Sequence, residues 1–274
     1  MKKVLSTAFG VAVLLALPAS AVNITISDYN AGVGFNGGPY GVGREDNETE
    51  PGTTQSQAWD LEAFSIVGTK LYLVGGYDFE RGLSGGLPGD LFIKVGGAAG
   101  YKPTWNTGSV KNGDYYNYDY AVLLSGSLAG ETIGVESLNA NSKLKTVDND
   151  NLKSNPWKYD SAGTDFQQTE IDYSTGLTAN QVELLAGVGS LMGDAGLNGN
   201  NKHNVISIDL GFLGTITPGT EVYVSYTMEC GNDSIKGSYD GGFRHDVPDG
   251  GVTLALLGMG LGTLGFVRRK LGAA

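Results

Sequence analysis

Short runs of alternating apolar and polar residues, separated by glycine, asparagine and aspartate, recur along most of the chain. The alternation is clear where Leu71 and Leu73 alternate with Tyr72 and Val74, and Gly68 just before them suits the turn of a hairpin. A period of two places successive side chains on opposite faces, so each run predicts a strand with one face in the core. The predicted strands are residues 22–27, 58–67, 70–78, 90–95, 115–124, 132–138, 169–173, 204–212 and 221–229.

Strands at this spacing predict an all-β fold: a single β-sandwich, of which a jelly-roll-like arrangement is one form. Glycine accounts for 44 of the 274 residues, as expected for a chain with many tight turns. Within this pattern only residues 178–191 predict a helix. Thr178 suits its N-cap, and Val182, Leu185 and Val188 are spaced to share one buried face.

The N-terminal segment departs from the strand pattern. Lys2 and Lys3 precede the apolar residues 4–17, and small residues at Ala19 and Ala21 follow. A basic start, an apolar region and a small-residue site in this order are typical of a secretory signal. The sequence therefore predicts a helical signal peptide over residues 1–21, with cleavage after Ala21.

The C-terminal segment has three parts in a fixed order. A turn-forming motif comes first and consists of Val247, Pro248, Asp249, Gly250 and Gly251. The uncharged run 252–267 follows; as a helix it would extend about 24 Å, slightly less than the hydrocarbon core of a membrane. Arg268, Arg269 and Lys270 then favour the cytoplasmic side. These residues predict a C-terminal transmembrane helix with the body outside, the alternative being an apolar helix docked on its own domain.

Motif, apolar segment and basic end together resemble the PEP-CTERM class of sorting tails, and specifically its VPDSG type, with Gly250 in place of serine. The resemblance implies cleavage near the motif by an exosortase, a membrane-embedded cysteine protease-transpeptidase, from a single-pass intermediate held transiently in the inner membrane. It also implies export to the surface of a Gram-negative-type bacterium that makes exopolysaccharide. The chain then divides into a signal peptide (1–21), an exported β-sandwich domain (22–246) and a sorting signal (247–274).

Charge narrows the range of partners. The chain has 18 basic and 29 acidic residues and a formal net charge of −11, and five of the basic residues lie in the terminal segments. The exported part is therefore more acidic than the whole chain, and it repels nucleic acid and anionic lipid.

Cys230 is the single cysteine, which excludes an intrachain disulfide. Two interpretations remain for it: a buried inert thiol, or a disulfide bond between two molecules.

Catalytic patterns in the sequence are sparse. Ser84 lies in a G-x-S-x-G segment, but the flanking runs predict strands, whereas a hydrolase elbow needs a helix after the serine; a turn is the expected structure. His203 and His245 are the only histidines, too few with one cysteine for a zinc site within the chain, and both are expected at the surface or at strand ends. No spacing of acidic residues selects a catalytic pair, so the sequence predicts that the protein is not an enzyme.

Calcium is the one cofactor for which the sequence offers candidate ligands. Asp148 and Asp150, each followed by asparagine, place hard oxygen ligands in a predicted loop. Asx-rich turns also form without metal, so a solvated turn is the alternative. Further candidates for calcium ligands are Asp78, Asp90, Asp114 and Asp119.

Aromatic residues crowd one part of the chain, where exposed rings would stack on sugars and buried rings would belong to the core. They are Tyr115, Tyr116, Tyr118 and Tyr120, with Trp105, Trp157 and Tyr159 elsewhere.

The leading hypothesis for the function is a non-catalytic exported protein of the cell surface or extracellular matrix, associated with exopolysaccharide. A calcium-assisted carbohydrate-binding module is the alternative, and a secreted hydrolase is a further one.

Overall fold

The computed structural model describes residues 22–27, 57–83, 86–97, 108–126, 132–149, 153–186, 202–231 and 233–239. Within these residues the chain is almost entirely β-structure. The strands are β1 (Val22–Ser27), β2 (Leu61–Val67), β3 (Lys70–Gly75), β4 (Leu91–Val95), β5 (Gly108–Lys111), β6 (Tyr120–Val122), β7 (Thr132–Ser137), β8 (Lys143–Asn149), β9 (Lys153–Ser161), β10 (Thr164–Leu177), β11 (His203–Asp209), β12 (Val222–Thr227) and β13 (Ser234–Tyr239). The α-helices are α1 (Asn112–Tyr115) and α2 (Ala179–Ala186), and 3-10 helices span Gln57–Trp59 and Leu210–Leu213.

Ten of these strands form one antiparallel sheet in the order β1-β2-β3-β11-β10-β7-β6-β4-β12-β13. The sheet curls until β13, at one edge, contacts β1 and β2 at the other. A second antiparallel sheet has the order β5-β8-β9. The all-β class is therefore confirmed, but one curled sheet takes the place of the two stacked sheets expected for a sandwich.

The concave side of the large sheet holds the main core, to which nine of its ten strands contribute described side chains. Leu71 and Leu73 of β3 and Val222 and Val224 of β12 point into it and are completely buried. Alternate residues of the same strands point to the convex side, as the period of two predicts. Gly68, with φ of +63°, makes the predicted turn between β2 and β3, where glycine adopts the left-handed conformation without strain.

The convex side is buried in two places. Helix α2 covers β2, β3 and β11 through Val182 and Ala186, and Ser65 donates a hydrogen bond of 2.6 Å to the carbonyl of Ala186. The β5-β8-β9 sheet covers β4 and β6 through a second cluster. That cluster consists of Phe92, Val110, Tyr116, Tyr118, Ala121, Leu138 and Leu144.

The junction between the two sheets lies where the chain enters β4. The backbone N–H of Gly89 donates to the hydroxyl of Tyr226 at 3.1 Å, and the N–H of Asp90 donates to the carbonyl of Trp157 at 2.6 Å. The Asp90 carboxylate accepts the N–H groups of Ser125 and Tyr159, both at 2.7 Å. One buried aspartate thus connects β4, the turn after β6, and β9.

A second buried carboxylate, that of Asp233, lies where the two ends of the large sheet meet. Asp233 accepts the N–H of Leu61 at the start of β2 (2.7 Å) and the N–H of Ser234 at the start of β13 (2.7 Å). It is completely buried. Because β2 and β13 belong to opposite ends of the strand order, this carboxylate helps to hold the sheet in its curled form.

Several elements differ from the predicted ones. Residues 115–124 do not form one strand, because the chain runs through α1 and a turn at Asn117 (φ +70°) before β6 begins at Tyr120. The predicted strand 169–173 is the centre of the longer β10. Strands β5, β8, β9 and β13 were not predicted; β8 alternates exposed lysines with buried Leu144 and Thr146, which gives it too few apolar residues to stand out.

Helix α2 begins after Thr178, as predicted, and residues 187–191 of the predicted helix, with Val188, lie outside the described residues. The N–H and the hydroxyl of Thr178 donate to Gln181 Oε1 at 2.9 and 3.0 Å, which satisfies the backbone N–H of Thr178 at the helix start. Val182 is buried as expected. Leu185 is 40 % exposed, because Ala186, four residues after Val182, faces the sheet instead.

Candidate functional site

A groove lies on the convex side of the large sheet, at the edge of α2. Its volume is about 290 Å³. Strands β3, β11 and β10 form the floor, and Leu185 of α2 forms one wall. The lining residues are Lys70, Tyr72, Asp172, Tyr173, Ser174, Leu185, Val205 and Ser207.

The strand register brings the polar groups of the groove together. Tyr72 of β3 is paired with Ser207 of β11, and Ser207 is paired with Asp172 of β10, so the three residues form a row across the sheet. Lys70, two residues before Tyr72 on the same face, reaches Asp172 from the side. Residues distant in sequence therefore meet only because the β3-β11-β10 order places them side by side.

A charged pair lies in this groove. Lys70 Nζ lies 3.2 Å from Asp172 Oδ2, and Ser207 Oγ lies 3.5 Å from the same oxygen. The hydrogen bond to Asp172 raises the pKa of Lys70, while burial raises the pKa of Tyr72. The Lys70 and Asp172 side chains are 40 % and 75 % exposed, so both charged groups are accessible from solvent.

A cluster of three aromatic rings forms a second surface feature, in which Phe166 is exposed while Tyr120 and Phe212 are partly buried against the main core. Ring centroids are 5.3 Å apart for Tyr120 and Phe166, 5.6 Å for Tyr120 and Phe212, and 6.4 Å for Phe166 and Phe212. Phe166 is 44 % exposed. It lies at a β-bulge, since Asp165 and Gln167 pair with consecutive residues of β7, and a bulge redirects the extra side chain.

Most of the other aromatic residues noted in the sequence lie in the hydrophobic core or at its edge. Tyr116 and Tyr118 are buried and stack at 5.9 Å, and Trp157 is also buried. Tyr115 and Tyr159 pack at the edge of the same cluster. Trp105 lies outside the described residues. Of the predicted aromatic surface, Tyr115, Tyr120 and Tyr159 are partly exposed, and only Tyr120 joins Phe166 and Phe212. The sequence did not indicate these two partners; a single phenylalanine in the polar run 164–170 was the only available signal.

One pair of facing carboxyl groups lies between β7 and β10. Glu136 and Asp165 are paired across the strands, and the Glu136 carboxyl also contacts the Tyr159 hydroxyl. Burial, and then the Asp165 carboxyl, raise the pKa of Glu136. Asp165 is exposed, so the pair is not enclosed in a pocket as a catalytic carboxylate pair would be.

The calcium candidates are placed differently from the prediction. The backbone of Asp148 belongs to β8, paired with Ser154, and not to a loop; Asp150 lies outside the described residues. In the part of the chain that the structure describes, no three histidine, cysteine, aspartate or glutamate side chains group to hold a metal ion. Asp90 and Asp119 already accept protein hydrogen bonds, Asp119 from Lys94 and from the N–H of Val95.

The remaining candidate residues also differ in part from expectation. His203 is at a strand end, as predicted, but it is completely buried, with Nδ1 2.8 Å from both oxygens of the Glu62 carboxylate. Cys230 is half-buried after β12. Leu83 and Gly86 form a tight antiparallel bridge around the predicted turn at Ser84, while Ser84 and His245 lie outside the described residues.

The terminal predictions concern residues that the structure does not describe. They are the cleavage site at Ala19 and Ala21, the motif 247–251, the apolar run 252–267 and the basic residues 268–270. Among the helices in the described ranges, none has the length and apolar character needed to cross a membrane.

The fold and the order of the terminal segments define a class: an all-β protein that ends in a sorting tail. Residues 246–271 match the family model described as the VPDSG-CTERM motif, and the predicted resemblance is confirmed. The chain thus carries a PEP-CTERM-like exosortase sorting signal, which implies export to the cell surface and processing by an exosortase-type enzyme. The match covers these residues only. Neither the curated proteins nor the solved structures gave a match to the chain.

Proposed function

We propose that the protein is a non-catalytic component of the cell surface or extracellular matrix and associates there with extracellular polysaccharide. The VPDSG-CTERM match at residues 246–271 carries the proposal, because a sorting signal places the body outside the cell. The polysaccharide part of the proposal follows from the resemblance to the PEP-CTERM class, which implies a bacterium that makes exopolysaccharide. The signal peptide 1–21 starts the export. The run 252–267 holds the chain in the inner membrane until an exosortase-type enzyme acts near Val247–Gly251.

The cluster of Tyr120, Phe166 and Phe212 supports the polysaccharide part of the proposal. Large aromatic side chains are usually covered in folded proteins, and Phe166 is nearly half-exposed. Ring faces stack on the apolar faces of sugars, and such contacts need no charge on the ligand. An acidic domain favours neutral sugars over polyanions, so uncharged polysaccharide is the partner that fits this surface.

The sorting step is tested by the mass of the exported protein. We expect the mature protein to lack residues 1–21 and to end close to residues 247–251. Changing Pro248→Ala together with Asp249→Ala should leave the tail attached, because the processing enzyme no longer recognises the motif. The matched control is Asp240→Ala, which alters an acidic residue shortly before the motif. A wild-type mature protein that still ends at Ala274 contradicts the proposal.

Polysaccharide association is tested by co-sedimentation with the extracellular polysaccharide of the producing cells. We expect Phe166→Ala to weaken binding by roughly threefold to tenfold, the effect of losing one stacking contact of about 1 kcal/mol. Leu184→Ala is the control, because Leu184 is 88 % exposed on α2 and lies outside the aromatic cluster. Equal binding of both variants and the wild type would exclude the cluster as the contact surface.

A further inference from the structure

The groove beside α2 carries charges that cancel. Lys70 contributes one positive charge and Asp172 one negative charge, 3.2 Å apart. An anion that approaches Lys70 meets the Asp172 carboxylate and an acidic chain, and a cation that approaches Asp172 meets the Lys70 ammonium. The groove therefore selects against free ions of either sign and favours an uncharged polar ligand.

The hydrogen-bonding groups of this pair are only partly used. The Lys70 ammonium has three N–H donors, and Asp172 Oδ2 takes one of them. Asp172 Oδ2 also accepts a hydrogen bond from the Ser207 hydroxyl, whereas Asp172 Oδ1 accepts none from the residues that the structure describes. An N–H donor of Lys70 and the acceptor Oδ1 of Asp172 are therefore adjacent and available to a ligand. Two hydroxyl groups on adjacent carbons match them, since one accepts from Lys70 while the other donates to Asp172.

The groove also offers apolar surface next to the charged pair. Leu185 projects from α2 with 40 % of its surface exposed and supplies this apolar surface, whereas Val205 on the floor is almost completely buried. One face of a sugar ring consists mainly of C–H groups, and it can cover an exposed leucine while the hydroxyl edge points to the ion pair. The volume of about 290 Å³ is suited to a single sugar ring and not to a long chain segment.

We propose that the groove formed by Lys70, Asp172, Ser207 and Leu185 binds one neutral sugar unit through a pair of adjacent hydroxyl groups. This inference rests on the proposed association with polysaccharide and adds a second contact, separate from the Tyr120, Phe166 and Phe212 cluster. The groove recognises a sugar ring by its diol, whereas the aromatic cluster recognises ring faces.

The test is ligand-observed NMR on the full exported protein with glucose, galactose and mannose at millimolar concentration, and with glucuronate as the charged analogue. We expect at least one neutral hexose to bind and glucuronate to bind about tenfold more weakly. Asp172→Asn and Lys70→Met should each weaken hexose binding about tenfold. Asp160→Asn and Lys145→Met alter another surface pair, 4.0 Å apart on the smaller sheet, and should bind like the wild type.

The outcomes separate the groove from the broader proposal. Absence of binding by all three hexoses, glucuronate binding as tight as hexose binding, or unchanged binding by Asp172→Asn and Lys70→Met would each overturn the groove as a sugar site. Retained co-sedimentation of the same variants with the extracellular polysaccharide, measured as described above, would leave the proposed association standing. Because Asp172 is 75 % exposed, its substitution should leave the unfolding midpoint unchanged, which reports directly on whether a loss of binding is local.

Discussion

Replacing Gly89 by alanine should lower the free energy of unfolding by about 3 kcal/mol. A Cβ atom at this position would collide with the carbonyl oxygen of Thr227 and lie 2.8 Å from that of Trp157. Both obstacles are backbone atoms, one in each sheet, so no side chain can rotate away. The junction must open, and the hydrogen bond from Gly89 N–H to Tyr226 is then lost as well. Urea unfolding followed by tryptophan fluorescence measures the effect.

Gly126→Ala is the matched control for this prediction. Gly126 lies in the turn after β6, and a Cβ there would find its nearest heavy atom, Leu123 O, at 3.6 Å, an ordinary contact. We expect this variant to stay within about 0.5 kcal/mol of the wild type. Equal stability of the Gly89→Ala and Gly126→Ala variants would show that the two sheets do not approach as closely as described.

Asp90 should make the stability of the protein depend on pH between about pH 4 and pH 7. Its carboxyl group is completely buried, and burial raises its pKa to about 6 despite the N–H donors of Ser125 and Tyr159. An unfolded aspartate has a pKa near 3.9, so within this range the folded state holds a proton that the unfolded state has released. The contribution of Asp90 to the free energy of unfolding is therefore greatest below about pH 4. It falls by about 3 kcal/mol as the pH rises through 6.

Asp90→Asn tests this dependence because its side chain does not titrate. The variant should lose stability at pH 4, since an amide N–H₂ would face an N–H donor that the carboxyl group now satisfies. Its free energy of unfolding should nevertheless change less between pH 4 and pH 7 than that of the wild type. Asp160→Asn, at an exposed position on β9, should keep the wild-type slope. A slope for Asp90→Asn equal to that of the wild type would contradict the assignment.

The sequence was sufficient to predict the strands in which the two faces carry clearly different residues. In β3 and β12 both faces are buried, and apolar residues of one face alternate with residues such as Tyr72 and Ser225 that a second layer covers. Gly68 and Thr178 marked a turn and a helix start through backbone chemistry that depends on local residues alone. The C-terminal sorting signal was equally local, because its order of motif, apolar run and basic end can be recognised without any fold.

What the sequence did not predict depends on register between distant strands. Sheet β5-β8-β9 covers one part of the large sheet with few apolar residues, and Pro156 interrupts β9 at a bulge, so its strands resemble loops. The curl of the large sheet requires β2 and β13 to meet. The groove likewise depends on Lys70 and Asp172, which are far apart in the chain and adjacent only across β11. No local pattern could report these contacts.

The position of β13 has a mechanical consequence for a protein sorted by its C-terminus. Residues 240–246 alone separate Tyr239, the end of β13, from the motif at Val247. Any force on the tail is therefore transmitted to the domain through the C-terminal end of β13. All six residues of β13 are paired with β12, and Asp233, just before the other end of the strand, accepts the N–H of Leu61 in β2. Detaching the strand that carries the tail therefore requires breaking this whole ladder and the Asp233 contact.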